Sequence, residues 1–278
     1  KEKQNLILDL IEEVKKGELS VKLYKEEDIE LLIPFKRPPK LVDFGLYPMH
    51  DRNIKRVFYK NLAPSFMYHS TVQIHNFLTN DGFFYPTHYE DDLYHFYGNR
   101  IGIYGPNADN VKIPDGFMDI DIEAELAIVI ARDGKNISEE NAEDYIAGYC
   151  LYNDYSQRHI QMDELQHSRF GFIKSKTVNS LGPYFITDLE LDKVTVVVKV
   201  NGNEVLTCGN DDLRWSLSKI ISYASSLEEG IIEGEIIGFG TMSGGSFFEL
   251  ELPMLKAGDT VELIANQGLG KIKNKIVQ

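Results

Sequence analysis

The chain has 278 residues, 43% of them hydrophobic and 26% charged, with a formal net charge of −14. That length supports one large core, or one large domain with a small appendage. So acidic a chain has no surface suited to nucleic acid or to anionic membranes, because nothing in it would displace phosphate counterions. A small anionic substrate stays possible where a metal ion or local Arg and Lys reverse the potential inside a cleft.

No apolar run reaches the length of a membrane span and no signal peptide is visible, so the expected location is cytoplasmic. The two cysteines, Cys150 and Cys208, form no CxxC and read as reduced thiols without a base partner.

In chain order, NLILDLIEEVKKGE sets Leu6, Leu10, Ile11 and Val14 on one helical face and ends at Gly17, predicting a packing helix. The proline-marked joint IPFKRPPK follows, and residues 1–38 read as a small N-terminal unit before a domain over 39–278. From KLVDFGLYPMH to about residue 100 the pattern is irregular and rich in aromatics and histidines, and 55–100 reads as a lid or pocket wall. There, His69, His75, His88 and His95 lack HxxxH or HExxH spacing and read as wall or satisfied polar spots.

Residues 118–130, MDIDIEAELAIVI, alternate strictly, predicting a strand with Asp119, Asp121, Glu123 and Glu125 on one face. Spacing alone fits a solvated strand face. It also fits two carboxylates, Glu123 and Glu125, aimed at one hard cation, with Asp119 and Asp121 left at the rim. Ser138 is a plausible N-cap for a short amphipathic helix, and Asn201-Gly202 marks a hairpin turn within KVTVVVKVNGNEVLTC. A second helix is expected in DDLRWSLSKIISYASSLEEG, with Leu213, Leu217, Ile220, Ile221 and Ala224 inward. Short strands separated by Gly-rich turns complete the chain, which reads as α+β and mainly β.

Seven motifs run in one order: KLVDFGLYPMH, DIEAELAIVI, GYCLYNDYSQRHIQ, KSKTVNSLGPYFIT, GFGTMSGGSFFELEL, LKAGDTVEL and QGLGKIKNKIV. In this order they resemble the fumarylacetoacetate hydrolase family, most closely its fumarylacetoacetase-type branch. The resemblance implies a mixed β-sandwich roll with a few flanking helices, usually a homodimer. It implies a divalent ion, Mg²⁺ first with Ca²⁺ or Mn²⁺ as alternatives, held by Asp43, Glu123, Glu125 and Asp154.

It further implies that His50, seven residues after Asp43, pairs with Glu249 as the catalytic dyad. The acylpyruvase-like branch places a glutamate three residues after that histidine, where this chain has Asn53. Lys174 matches the lysine that would stabilise an oxyanion. Arg158, Gln161 and Thr241 match substrate-binding positions, although Gln157 and His159 depart from the family's NDWSARDIQ. The implied activity is hydrolysis of a C–C bond in a 1,3-diketo acid, fumarylacetoacetate- or acylpyruvate-like. Relatives also isomerise, decarboxylate, hydrate or dehydrate 2-oxo acids through a metal-stabilised enolate, and a catalytically silent metal-binding relative is the remaining reading.

Overall fold

The computed structural model describes residues 2–25, 28–35, 37–62, 67, 70, 93–167 and 176–278. Lys174 and three of the four lid histidines, His69, His75 and His88, lie outside the described residues. The chain divides into two units, Lys1–Leu31 and Leu32–Gln278.

In the first unit, α1 (Glu2–Lys16) ends as the sequence predicts. Gly17 adopts φ 76° and its N–H donates to the Val14 carbonyl, the left-handed stop that glycine takes without strain. Leu6, Leu10 and Ile11, on the face read as apolar, are exposed.

The second unit is built on two sheets. One has seven strands in the order β2-β1-β10-β5-β6-β7-β3 and the other five, β4-β12-β11-β8-β9. The seven-stranded sheet comprises β1 (Leu41–Phe44), β2 (His95–Tyr97), β3 (Ile103–Tyr104), β5 (Ala124–Ile130), β6 (Ile146–Ser156), β7 (Lys176–Leu181) and β10 (Ile236–Gly238). The five-stranded sheet comprises β4 (Val111–Lys112), β8 (Thr195–Val200), β9 (Asn203–Gly209), β11 (Thr260–Ala265) and β12 (Gly270–Val277). Leu126, Ile128, Leu151 and Ile237 from the first sheet share one apolar cluster with Val196, Val198, Val261 and Ile272 from the second. The main core therefore lies between two stacked sheets, the α+β, mainly β arrangement expected.

The other face of the seven-stranded sheet is also buried. Leu41, Ala127, Val129, Cys150, Tyr152 and Ile236 form a second cluster there, with Phe35 packed against it. Side chains alternate between faces along a strand, so two residues further along each strand the same face carries Asp43, Glu125, Asp154 and Gly238.

Several local expectations change. The acidic strand is shorter than its alternation suggests: regular pairing starts at Ala124, and Ile120 and Asp121 make only isolated bridges, to Leu255 and Ser156. All seven residues of β5 are buried, so the alternation marks two different buried environments rather than wet and dry faces. After Ser138 the chain forms a 3₁₀ segment, Glu139–Tyr145, without a side-chain cap. The hairpin forms as predicted, with Asn201 and Gly202 both at positive φ between β8 and β9.

Two helices flank the sheets where the sequence reading had none. Pro48–Leu62, here α2, replaces the first part of the expected irregular segment, and Arg158–Gln166, here α3, follows β6 directly. Pro48 starts α2 because its missing N–H is one of the orphans of a first turn. Ile54, Val57 and Phe58 then give α2 a buried stripe. The helix Leu217–Ser226, α4, starts one residue after Ser216, whose hydroxyl accepts from the Lys219 N–H.

Candidate active site

Three carboxylates converge on the outer face of the seven-stranded sheet. Asp43 on β1, Glu125 on β5 and Asp154 on β6 each offer an oxygen within 4.8 Å of the others, and all three are buried. The fold holds two of them from behind. The Gly240 N–H donates both to Asp43 Oδ1 at 3.2 Å and to Glu125 Oε2 at 3.1 Å, and the Thr241 hydroxyl lies 3.4 Å from Glu125 Oε1. Gly240 reaches that position at φ +83°, with the Phe44 carbonyl so close that a Cβ would stand 2.2 Å from it.

This donor set suits a divalent cation. It is made only of oxygens, as hard cations require, and it gathers like charges out of water, where they repel strongly unless neutralised. The strand between Asp43 and Glu125 carries Gly238, where a Cβ would sit 2.4 Å from Asp43 Oδ1 and 3.3 Å from Glu125 Oε2. The absence of that Cβ gives the carboxylates their space.

Glu123, also named from the sequence, is turned onto Arg158. Its Oε1 accepts from Arg158 Nη1 at 2.8 Å and its Oε2 from the Ser156 hydroxyl at 3.1 Å. Asp121 is not a rim residue, as the sequence reading had it. It is 1% exposed and accepts from Arg158 Nε at 2.7 Å and from the backbone N–H groups of Phe247 and Phe248 at 2.9 and 3.2 Å. Only Asp119 stays half-buried, accepting from the Gln157 side chain.

Arg158 also donates to Gln161 Oε1 at 2.8 Å within α3, while its bonds to Asp121 and Glu123 tie that helix to the acidic segment. Burial works against the Arg158 charge, but Asp121 and Glu123 outweigh it and hold the guanidinium protonated. Burial likewise pushes the Asp121 carboxyl up against the pull of Arg158.

His50, in the first turn of α2, places Nδ1 2.7 Å from Glu249 Oε2. Asn53, one turn on, donates to the other Glu249 oxygen at 2.8 Å. The residue that stands where the acylpyruvase-like branch has glutamate thus holds the glutamate of the dyad. Burial raises the Glu249 pKa, but the hydrogen bonds from His50 and Asn53 prevail and leave it below the ordinary carboxylate range. The backbone N–H of His50 donates to Ser243 Oγ at 3.1 Å, and that hydroxyl donates to Asp212.

His50, Glu123, Glu125, Arg158, Gln161 and Thr241 line one cavity of about 350 Å³. His95 lines it too, its ring against Phe44 and Tyr223, with burial and then Lys40 lowering its pKa. Neither cysteine takes part: burial pushes both thiols up to about 12.

Sequence reasoning missed Asp121, Gly238, Gly240 and Ser156. Asp121 had one usable signal, since it shares alternation with Glu123 and Glu125 and lies between isoleucines that prove buried. The glycines had none, because their role is a close approach between strands distant in sequence.

Residues 84–277 match the family described as fumarylacetoacetate (FAA) hydrolase C-terminal, and the chain belongs to that family. Among individual relatives, a protein of Archaeoglobus fulgidus is 33% identical over 171 residues, which is 61% of this chain and 64% of that protein. The mitochondrial oxaloacetate tautomerase fahd2 of Xenopus laevis is 33% identical over 181 residues, 63% of this chain and 55% of the relative. The matches thus span less than two thirds of either relative.

Two solved structures share the fold. The 5-carboxymethyl-2-hydroxymuconate delta-isomerase of Mycobacterium smegmatis has a TM-score of 0.65 at 24% identity, covering 93% of this chain and 86% of that one. The maleylpyruvate hydrolase of Sphingobium sp. SYK-6 also has a TM-score of 0.65, at 19% identity, covering 99% and 83%. Among the described residues no helix is long and apolar enough to cross a membrane.

Proposed function

We propose that the chain is a divalent-metal-dependent hydrolase that cleaves a C–C bond in a 1,3-diketo acid. The observation carrying this reading is the 2.7 Å His50–Glu249 contact, in the same cavity as Glu125 and Thr241. Asp43, Glu125 and Asp154 would hold the ion, with Glu123 beside them on Arg158. Mg²⁺ is the ion proposed, with Ca²⁺ and Mn²⁺ as alternatives. When bound, it supplies Lewis-acid polarisation of the diketone and stabilises the enolate that departs.

The chain's own residues do the rest. Glu249 fixes the imidazole through Nδ1, which leaves Nε2 to take a proton from water as it adds to the carbonyl. The C–C bond breaks with its electron pair on the leaving enolate, which takes back the proton His50 accepted. Thr241 would orient the substrate carboxylate, and Lys174, with Gln161 helping, is assigned to the oxyanion by resemblance. Arg158 acts as a brace for Glu123 and Asp121, because both already occupy its guanidinium. A homodimer, a cytoplasmic location, an N-terminal unit over residues 1–38 and a substrate-selecting lid over 55–100 complete the proposal.

The test is ion-dependent loss of diketone absorbance with an acylpyruvate panel, alongside His50→Ala. General-base loss should lower turnover by about 10²–10⁴-fold while metal affinity holds. Full activity in His50→Ala would refute the assignment. The tautomerase and isomerase names among the similar proteins favour a second reading, keto–enol conversion without cleavage. Product analysis separates the two: enol loss with the carbon skeleton intact would replace hydrolysis with isomerisation.

A further inference from the structure

We infer that this site takes 2-oxo acids whose tail is apolar and carries no second carboxylate, with Ile54 and Phe58 selecting that tail. The inference rests on the reading of the site as one that binds a 2-oxo acid. It goes further because it names the group at the far end of the substrate.

The direction of the cavity follows from α2. Residues 50, 54 and 58 recur every four positions and share one helical face. At 1.5 Å per residue, Ile54 lies about 6 Å and Phe58 about 12 Å along the axis from His50. All three line the cavity. Its wall therefore runs from the reactive imidazole to aliphatic and then aromatic carbon. Phe58 is fixed there by Phe248, ring centroids 4.7 Å apart. Phe96, paired with Asp43 in the β1–β2 register, and Phe44 on β1 add aromatic carbon to the lining.

The cations along the same wall are paired. Lys55 Nζ sits 2.6 Å from Asp51 Oδ2, one turn back on α2, and both line the cavity. Arg158 is bound by Asp121 and Glu123. His95 has its pKa lowered by burial and then by Lys40, a shift that disfavours its cationic form. Every Lys and Arg among the described lining residues is thus matched to a carboxylate. A second carboxylate on the substrate would lose water against Ile54 and Phe58, and no described lining residue offers it an unmatched cation. An alkyl or phenyl tail would bury its surface there instead. At about 350 Å³ the cavity is at the small end for ligand sites, which limits the tail to one ring or a short chain.

The experiment compares hexanoylpyruvate with adipoylpyruvate, which differ in whether the six-carbon acyl chain ends in a methyl or a carboxylate. Both kcat/KM and calorimetric Kd are measured in Mg²⁺, so the comparison holds whichever reaction follows binding. The neutral tail should be favoured by at least about tenfold. Ile54→Lys should narrow or reverse that preference, mainly through KM and Kd for the diacid, with Mn²⁺ affinity unchanged. Phe58→Ala should weaken hexanoylpyruvate alone, which serves if the lysine variant fails to fold. Equal or better binding of adipoylpyruvate by the unaltered protein overturns the inference and leaves the 2-oxo-acid reading standing. Binding of neither compound overturns both.

Discussion

Gly238→Ala tests whether the three carboxylates form one cation site, and the structure supplies the magnitude. Gly238 is not among the residues at positive φ, so alanine fits the backbone there. The added methyl instead meets Asp43 Oδ1 at 2.4 Å and its Cγ at 3.0 Å. Ordinary contact begins at 3.4 Å, so the Asp43 carboxylate must retreat by 3.4 − 2.4 = 1.0 Å. Disturbing the supports of a metal ligand commonly costs about 10–100-fold in affinity, or about 1.4–2.7 kcal/mol. Folding stability should change less. Alanine restricts the unfolded chain by about 0.4–1 kcal/mol, which offsets part of the roughly 1–3 kcal/mol of overpacking. Mn²⁺ titration by calorimetry reads the first effect, and urea unfolding in chelator reads the second. Mn²⁺ affinity indistinguishable from that of the unaltered protein would refute the argument, because the clash leaves no other group to move as far.

Arg158→Met would leave Asp121 and Glu123 buried without their guanidinium, and should destabilise the fold by about 3–5 kcal/mol in urea at neutral pH; a loss too small to measure would mean that water already reaches the pair. Tyr152→Phe should be neutral or stabilising by about 1–3 kcal/mol in metal-free protein, since its buried hydroxyl has no hydrogen-bond partner among the described residues. A lower melting temperature would show that the hydroxyl is bonded. Glu249 has a depressed folded pKa, so its contribution is fully present above the unfolded value near 4.5 and is lost as pH falls through the lower folded value. Glu249→Gln should therefore flatten part of the acid limb of urea midpoint against pH, and an unchanged limb would contradict the shift.

Legibility in the sequence follows the range of the interaction. The 195–209 hairpin was readable because its turn chemistry is local to Asn201-Gly202. The termination of α1 at Gly17 is equally local. The period-two placement of Glu123 and Glu125 was readable, but the turn of Glu123 onto Arg158 was not, and neither was the dyad. His50 and Glu249 are 199 positions apart, and only the resemblance paired them. The helix α2 went unread although Pro48 and the 54, 57, 58 stripe announce it, because the aromatic and histidine-rich run beyond it hides the period. For Asp121 the decisive partners, Arg158 and the Phe247 and Phe248 amides, are 37 to 127 positions away.

The acidic row also shows why alternation misled. A polar–apolar period normally separates water from core, but here Asp121, Glu123 and Glu125 are as buried as Ile122 and Ala124 between them. Each has a different substitute for water. Asp121 has backbone amides and one side of Arg158, Glu123 has the other side and Ser156, and Glu125 has the Gly240 amide and Thr241. Adding Asp43 and Asp154 makes five buried carboxylates, against which the buried ion pairs set one guanidinium, leaving 5 − 1 = 4 negative charges if all are ionised. Burying an unmatched carboxylate costs far more than any single contact returns. Arg158 stands at the Asp121–Glu123 end of the row, so the charge left over concentrates at Asp43, Glu125 and Asp154. That is where the oxygens already lie within 4.8 Å of one another, and where a divalent cation would relieve the most repulsion.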